Sequence, residues 1–161
     1  MLEKCQNAKE RWGGVSNIID NWLEARQKLI SQFVALPSTE VKNLESKIGQ
    51  FCTAMMDYLS SGHFEVYEQL LREGSEYDDG GLEKAQKLFP LIQPTTDAAL
   101  DFNDAYSSFS SPTVQQIREF SFQLSTLGEN IEERFTLEDQ LIEVLHTAHR
   151  DIVMSAEEEQ V

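Results

Sequence analysis

The sequence predicts an all-α protein with an antiparallel four-helix-bundle core and short additional helices. Apolar residues recur at three- and four-residue steps through several long segments, which is the spacing of one helical face. No segment shows the two-residue alternation that is typical of a half-buried strand. Short loops between four amphipathic segments favour an antiparallel arrangement. We expect residues 1–154 to form a single helical domain and residues 155–161 to form an acidic, frayed tail.

Two helices are predicted before Pro37. The pattern predicts a short helix over residues 3–12, which Gly13-Gly14 ends or kinks. A longer helix follows, and Pro37 stops it. Its apolar stripe contains Val15, Ile18, Ile19, Trp22, Leu29, Ile30 and Phe33. The charged residue Arg26 falls inside this stripe.

The next helix is expected to start after a cap at Ser38 or Thr39. Its apolar face extends from Leu44 to Leu59, and Ser60-Ser61-Gly62 is predicted to break or kink it. Helical spacing then continues through residues 64–71. A polar, glycine-rich surface loop over residues 73–81 follows.

Two prolines are predicted to divide the helix that starts at Leu82. Pro90 should end or kink it, and Pro94 should open a new first turn at Thr95 or Thr96. After a second loop at residues 107–112, the longest helix is expected from about Thr113 to Met154.

The core stripe of this last helix contains Glu138. Burying a carboxylate costs several kcal/mol unless it is paired, so Arg26 or Arg134 is its natural partner. The sequence therefore predicts a buried polar network of Arg26, Arg134 and Glu138.

Charge is spread unevenly along the chain. The net charge of −15 comes from 13 basic and 28 acidic residues. Residues 1–50 hold seven Lys/Arg and six Asp/Glu, whereas residues 51–161 hold six and twenty-two. Such a field repels nucleic acid and attracts basic partners, although an acidic surface also serves solubility alone. Direct binding to nucleic acid is therefore not expected.

Cellular location follows from what the sequence lacks. No apolar run approaches the roughly 20 residues that span a bilayer, and the N-terminus does not have the layout of a signal peptide. We therefore predict a cytoplasmic protein without membrane contact. Cys5 and Cys52, which lack CxxC spacing, are predicted to be reduced, with Cys52 in the core.

A metal site in the bundle is one functional hypothesis. Glu143 and His146 form a Glu-x-x-His step, and His149 follows at the same spacing. Carboxylate-bridged di-iron bundles need two such steps, and this chain with its three histidines has one. A hemerythrin- or ferritin-like metal-binding bundle remains an alternative, but no metal and no cofactor are expected.

Catalysis has less support than binding. Ser60 and His63 lie three residues apart, but the sequence has neither a nucleophile elbow nor a Gly-rich phosphate loop. We therefore expect no enzymatic activity and no catalytic residues.

The segment from Asp57 to Gln69 is more typical of a surface that binds a protein. Tyr58, Phe64 and Tyr67 provide amphipathic area of the kind that anchors interfaces, although core packing would explain them equally well. Asp57, Glu65 and Glu68 could pair with Arg or Lys of a basic helix.

Four stretches together resemble a known family. These are residues 1–15 (MLEKCQNAKERWGGV), 19–27 (IDNWLEARQ), 57–69 (DYLSSGHFEVYEQ) and 133–146 (ERFTLEDQLIEVLH). In this order and spacing they are similar to the Rsd/AlgQ family of bacterial regulators of the primary sigma factor, and most of all to its AlgQ branch. The similarity extends from the N-terminus to about Arg150.

The resemblance implies a mostly helical protein, monomeric when free, that binds region 4 of the primary sigma factor in a one-to-one complex. Binding would withhold sigma from core RNA polymerase and from the −35 element, which is an anti-sigma action. In the family an Asp at the position of Asp57 is associated with sigma binding. With its neighbours this implies a partner-binding set of Asp57, Ser60, His63, Phe64, Tyr67 and Glu68. Relatives also suggest an alternative role as an acidic adaptor for another partner, such as a stress-signalling enzyme or a sugar-transport protein.

Overall fold

The computed structural model describes residues 8–158, and the side chains of residues 9–155. Throughout this part the chain forms helices and connecting turns, without a strand, which confirms the all-α prediction. The six α-helices are α1 (Ala8–Ala35), α2 (Val41–Ser61), α3 (Tyr67–Gly74), α4 (Gly81–Tyr106), α5 (Val114–Leu145) and α6 (Arg150–Glu158). Leu36–Ser38 and Thr147–His149 are 3₁₀ turns, and Gly62–Val66 is a π-helical turn.

The four long helices enclose one apolar core. Helix α4 packs along α5, and α2 packs against both α1 and α4. The short helix α3 contacts α5, and α6 contacts α1. Several large side chains between them are fully buried, including Phe51, Ile48, Met55, Leu70, Ile92 and Leu141. The antiparallel order of a four-helix bundle stays a prediction.

Helix α1 passes through Gly13 and Gly14, so the predicted break there is wrong. Among the described glycines only Gly80 has a positive φ, so neither Gly13 nor Gly14 takes the left-handed conformation of a helix C-cap. The burial of Val15 and Ile19 against neighbouring helices outweighs the low helix propensity of glycine. The predicted start at residue 3, and Cys5, lie outside the described residues.

The connection from α1 to α2 differs in detail from the prediction. Helix α1 ends at Ala35, before Pro37, as predicted. The predicted cap at Ser38 or Thr39 is wrong, because both hydroxyls donate backwards to the carbonyl of Ala35, over 3.2 and 2.9 Å. Glu40 takes the N-cap position of α2 with an extended backbone.

Helix α4 is continuous through Pro90 and Pro94, so the predicted division is wrong. Buried residues lie on both sides of the prolines, among them Ala85, Ile92 and Ala99. Packing against α5 therefore holds the helix together despite the backbone donors that the prolines lack.

The main helix of the C-terminal region is shorter than predicted. Helix α5 begins at Val114 with a capping box of Thr113 and Gln116, close to the predicted start, but it ends at Leu145 rather than near Met154. His146 leaves the helical conformation, with φ −130° and ψ −62°. Helix α6 then extends to Glu158, so residues 155–158 of the predicted frayed tail are helical, and residues 159–161 lie outside the described residues.

No described helix combines the length and the apolar character that crossing a membrane requires.

Cys52 is a buried free thiol, and burial raises its pKa to about 11.

Candidate partner-binding site

The C-terminal half of α2 and the start of α3 present one exposed face. Asp57, Ser60, Phe64 and Glu68 are all exposed, and their spacing of three and four residues follows one side of the helical segment. We call these four residues the outer face. Phe64 is 78% exposed, which is unusual for a large aromatic side chain. An exposed aromatic between carboxylates suits contact with a protein that carries basic and apolar groups.

The opposite side of the same segment faces the interior. Tyr58 and Tyr67 are 2% and 4% exposed, and Trp22 of α1 lies against both rings. The indole of Trp22 stacks on Tyr58 at 4.7 Å and donates to the Tyr58 carbonyl over 3.1 Å. Tyr67, which the sequence placed among the partner-binding residues, is therefore buried and does not belong to the outer face.

The π-helical turn Gly62–Val66 is what brings the two tyrosines together. They are nine residues apart, which in a regular helix at about 100° per residue would place them on opposite sides. A π-helical turn takes up an extra residue and reduces the net rotation. The two hydroxyls consequently reach the same carboxylate, that of Glu138, with 2.6 Å between Tyr58 Oη and Glu138 Oε1.

Glu138 is fully buried at the centre of this arrangement. Tyr58 donates to Oε1 and Tyr67 donates to Oε2. The guanidinium groups of Arg26 and Arg134 lie on either side, with nitrogen–oxygen distances of 3.6 and 3.3 Å. The sequence offered one arginine or the other as partner, and the structure places both against the carboxylate.

Arg26 connects α1 to this cluster. Its Nε donates to the Tyr58 hydroxyl over 3.1 Å, and its Nη1 donates to Asp139 over 2.5 Å. The guanidinium carbon also lies 4.6 Å from the ring centre of Phe135 and 5.4 Å from that of Trp22. Aromatic faces and carboxylates together compensate for the desolvation of this nearly buried cation.

Arg134 connects α5 to α4 and to the π-helical turn. Its Nη1 donates to the hydroxyls of Thr95 and Thr96, over 3.2 and 2.6 Å. Its Nη2 donates to Tyr67 and lies 3.3 Å from His63 Nε2. Since a guanidinium only donates, the Nε2 atom of His63 accepts, and the proton of the neutral ring is on Nδ1.

The environment shifts the pKa of several of these groups. Burial, followed by the nearby Glu138 charge, raises the pKa of Tyr58 and Tyr67, so both phenols remain donors. Burial also raises the pKa of Glu138, whereas Arg134, the two phenols and Arg26 act in the opposite direction. Burial and the charge of Arg134 lower the pKa of His63, which keeps its ring neutral.

His63 links this cluster to the outer face. It is half-buried, contacts Arg134 inside and directly precedes the exposed Phe64. We use the name inner cluster for Arg26, Tyr58, His63, Tyr67, Thr95, Thr96, Arg134, Glu138 and Asp139. The inner cluster holds the π-helical turn in place and thereby sets the direction in which Phe64 projects.

The histidines near the C-terminus pair with carboxylates. His146 Nδ1 lies 2.6 Å from Glu73, and Trp12 stacks on the His146 ring at 4.3 Å. His149 Nε2 lies 2.7 Å from Asp79. Glu143 is exposed, away from the buried His146, so the Glu-x-x-His step does not converge. Among the described side chains, those of residues 9–155, no group of three or more His, Cys, Asp or Glu could hold a metal ion.

Sequence reasoning missed several members of the inner cluster. Thr95 and Thr96 were assigned to a helix start after Pro94, and Asp139 was not singled out. A signal for Tyr58 and Tyr67 was present in the Ser60-Ser61-Gly62 interruption between them. Its effect could not be predicted because a break, a kink and a π-helical turn share the same sequence pattern.

Comparison with known proteins gives a consistent assignment. The family model described as "Regulator of RNA polymerase sigma(70) subunit, Rsd/AlgQ" matches residues 1–146. Proteins named "Regulator of sigma D" from Salmonella paratyphi B, Salmonella newport and Salmonella heidelberg are each 35% identical to the chain over 159 residues. Each alignment covers 94% of this chain and 95% of the relative. The placement in the AlgQ branch stays a prediction, but the resemblance to the family is confirmed: the chain belongs to the Rsd/AlgQ family.

Proposed function

We propose that this protein is an anti-sigma regulator that binds region 4 of the primary sigma factor through its outer face. The observation that carries the proposal is the exposed Phe64, which lies between Asp57 and Glu68 on a segment fixed from inside. Family membership supports a sigma factor as the partner. The relatives named above are called regulators of sigma D, and this chain aligns with nearly their full length.

In the family's mode of action the bound part of sigma is region 4, a basic helix-turn-helix module. The negative net charge of this chain favours binding to such a module. The net charge of −15 raises the encounter rate with a cationic partner. At the contact, Asp57 and Glu68 pair with Arg or Lys side chains of sigma. Phe64 seats between the sigma helices and excludes water from those pairs.

The mechanism we propose is sequestration in a one-to-one complex, without turnover. A sigma region that is held on the outer face cannot reach core RNA polymerase or the −35 element at the same time. The inner cluster contributes preorganisation, because a face that is already rigid loses little conformational entropy on binding. An antiparallel order of α1, α2, α4 and α5 belongs to this proposal as the scaffold that supports the face.

Substitution of Asp57 tests the proposal directly. We expect Asp57→Ala to weaken the complex with purified sigma region 4 by roughly 1–3 kcal/mol, through the loss of a charge-assisted pair. Isothermal titration at moderate salt measures the affinity, and circular dichroism checks the fold. Glu45→Ala is a matched control, since Glu45 is also an exposed carboxylate on α2 outside the outer face.

Two results would contradict the proposal. One is that the unsubstituted protein forms no complex with region 4 at micromolar concentration. The other is that Asp57→Ala and Glu45→Ala weaken the complex equally, since the effect would then come from net charge rather than from the outer face.

A further inference from the structure

An apolar groove lies between α1, the start of α2 and α5, and no residue of the outer face lines it. Its larger section, of about 690 Å³, lies between the end of α1, the start of α2 and the N-terminal half of α5. A smaller section of about 200 Å³ continues along α1. The two sections share Phe33, Gly128 and Glu132, so they form one continuous groove.

The groove is open because α5 packs closely against α4, and α1 packs against α2. Its walls are apolar side chains from both sides: Leu29, Leu36, Phe120 and Leu124 are buried core residues, whereas Phe33 and Ile131 are half-buried. Val41 borders it with 63% of its surface exposed. An apolar surface of this kind is typical of an interaction site.

Gly128 gives the groove its floor. A Cβ atom added at this position would lie 2.7 Å from Phe33 Cζ, closer than carbon atoms can approach. The glycine therefore allows the Phe33 ring to rest directly on the backbone of α5. The half-buried ring is part of the apolar base of both sections of the groove.

The charged groups of the groove are acidic. Among the described residues that line it, the charged ones are Glu129 and Glu132, both exposed on α5. Neither forms an ion pair with a described side chain. Lys42, the basic residue next to Val41, pairs with Glu40 at 3.1 Å. The groove therefore has an apolar base and an uncompensated negative rim.

We propose that this groove binds a basic amphipathic helix of a protein partner, as a second docking surface. Apolar side chains at positions i, i+3, i+4 and i+7 of that helix would enter the groove. Lys or Arg on its flanks would pair with Glu129 and Glu132. A helix with these properties fits both the apolar base and the sign of the rim.

A second copy of this chain fits the groove poorly. Each copy carries a net charge of −15, so two acidic surfaces would be brought together around an acidic rim. The proposal does not depend on the outer face, since no residue of the outer face lines the groove. The two docking surfaces can therefore be tested separately.

A model peptide provides the test. The probe is a fluorescent amphipathic peptide of Leu and Lys, about 18 residues long and blocked at both ends, whose leucines follow the helical period. A scrambled peptide of the same composition controls for the general attraction of cations. Fluorescence anisotropy at moderate salt measures binding, and we expect the amphipathic peptide to bind at least about tenfold more tightly than the scrambled one.

Charge reversal locates the binding. We expect the double variant Glu129→Lys with Glu132→Lys to bind the amphipathic peptide about tenfold or more less tightly, because two charge pairs are lost. Asp101→Lys with Asp104→Lys is the matched control, because these exposed carboxylates have the same spacing on α4 and change the net charge equally. Equal weakening by both double variants would overturn the proposal.

Two further variants distinguish binding in the groove from binding on the outer face. Val41→Ser leaves the net charge unchanged and should weaken the peptide several-fold by removing apolar contact. Asp57→Ala should leave peptide binding unchanged while it weakens the complex with sigma region 4. Peptide binding that is sensitive to Asp57→Ala but not to Val41→Ser would assign the peptide to the outer face and overturn the proposal. Dimers in sedimentation that the peptide dissociates would assign the groove to a second copy and overturn it as well.

Discussion

At the scale of single residues, the buried carboxylate of Glu138 receives hydrogen bonds from two phenols and lies beside two guanidinium groups. These four groups come from four different helices, namely α1, α2, α3 and α5. A fully buried ion pair contributes little net stability compared with an apolar core, but removal of Glu138 would leave the buried Arg134 without its carboxylate and Arg26 with Asp139 alone. Replacing the whole ion pair by apolar residues should therefore change the free energy of unfolding little, whereas replacing Glu138 alone should lower it.

We expect Glu138→Gln to lower the free energy of unfolding by about 3–5 kcal/mol, because Arg26 and Arg134 lose their common counter-charge inside the protein. Urea denaturation followed by circular dichroism measures the change. Glu143→Gln, at an exposed position on the same helix, should change stability by less than about 0.5 kcal/mol. Similar effects of both variants would show that the inner cluster does not hold a charged Glu138.

His63 makes stability depend on pH. Its pKa in the folded protein is lowered from the ordinary 6.5, so the folded state binds the proton less readily than the unfolded chain does. The stability contribution is therefore complete above 6.5 and is lost as pH falls through the lowered folded pKa. The groups that face the ring are Arg134, Thr96 and Tyr67.

Replacement by glutamine isolates this contribution. Between about pH 7.5 and about pH 5.5, the free energy of unfolding should decrease more in the unsubstituted protein than in His63→Gln. His146 and His149 are present in both proteins, so their effects cancel in the difference. An identical decrease in the two proteins would contradict the expected role of His63.

Residue patterns predicted the inner cluster only in part. The positions of Arg26 and Glu138 on apolar stripes indicated burial, since a charge at such a position needs a partner. The partners Thr95 and Thr96 lie 38 or more residues from Arg134, and a single sequence contains no signal that relates such distant positions.

At the scale of helices, long apolar stripes were predicted well and interruptions poorly. Gly13-Gly14 and the prolines of α4 are local features that favour a break, and in both cases packing along the whole helix outweighs them. The Ser60-Ser61-Gly62 interruption did mark a real irregularity. The difference lies in tertiary contacts: an added Cβ at Gly62 would lie 3.1 Å from Trp22 Cζ2, whereas one at Gly13 would meet nothing within 4 Å.

The continuity of α1 leads to a prediction at Gly13. Gly13→Ala should raise the free energy of unfolding by about 0.5–1 kcal/mol, because alanine restricts the unfolded chain and favours the helix. Thermal or urea unfolding measures the gain. Gly128→Ala should instead destabilise, since its Cβ would collide with Phe33. A loss of stability in Gly13→Ala would indicate that α1 is broken at the glycine pair.

At the scale of the whole molecule, the excess of acidic residues is concentrated after residue 50. This part of the chain contains the outer face and the acidic rim of the groove. Charge of one sign acts over a Debye length of about 10 Å at moderate salt, so its main effect is on the rate at which a basic partner arrives.

We expect the affinity for sigma region 4 to decrease as salt rises from about 0.05 to about 0.5 M, mainly through a slower association rate. Stopped-flow fluorescence or surface plasmon resonance separates association from dissociation. The apolar contact of Phe64 should make the dissociation rate much less sensitive to salt. An affinity that does not change over this range would exclude electrostatic steering.

The inner cluster also bears on how the chain is made. Arg26 is synthesised about 110 residues before its carboxylate partners at 138 and 139. A nascent chain that ends before α5 therefore has an arginine in its apolar stripe and no counter-charge to bury with it. We therefore expect the inner cluster to form only after α5 has left the ribosome, because α5 provides Arg134, Glu138 and Asp139.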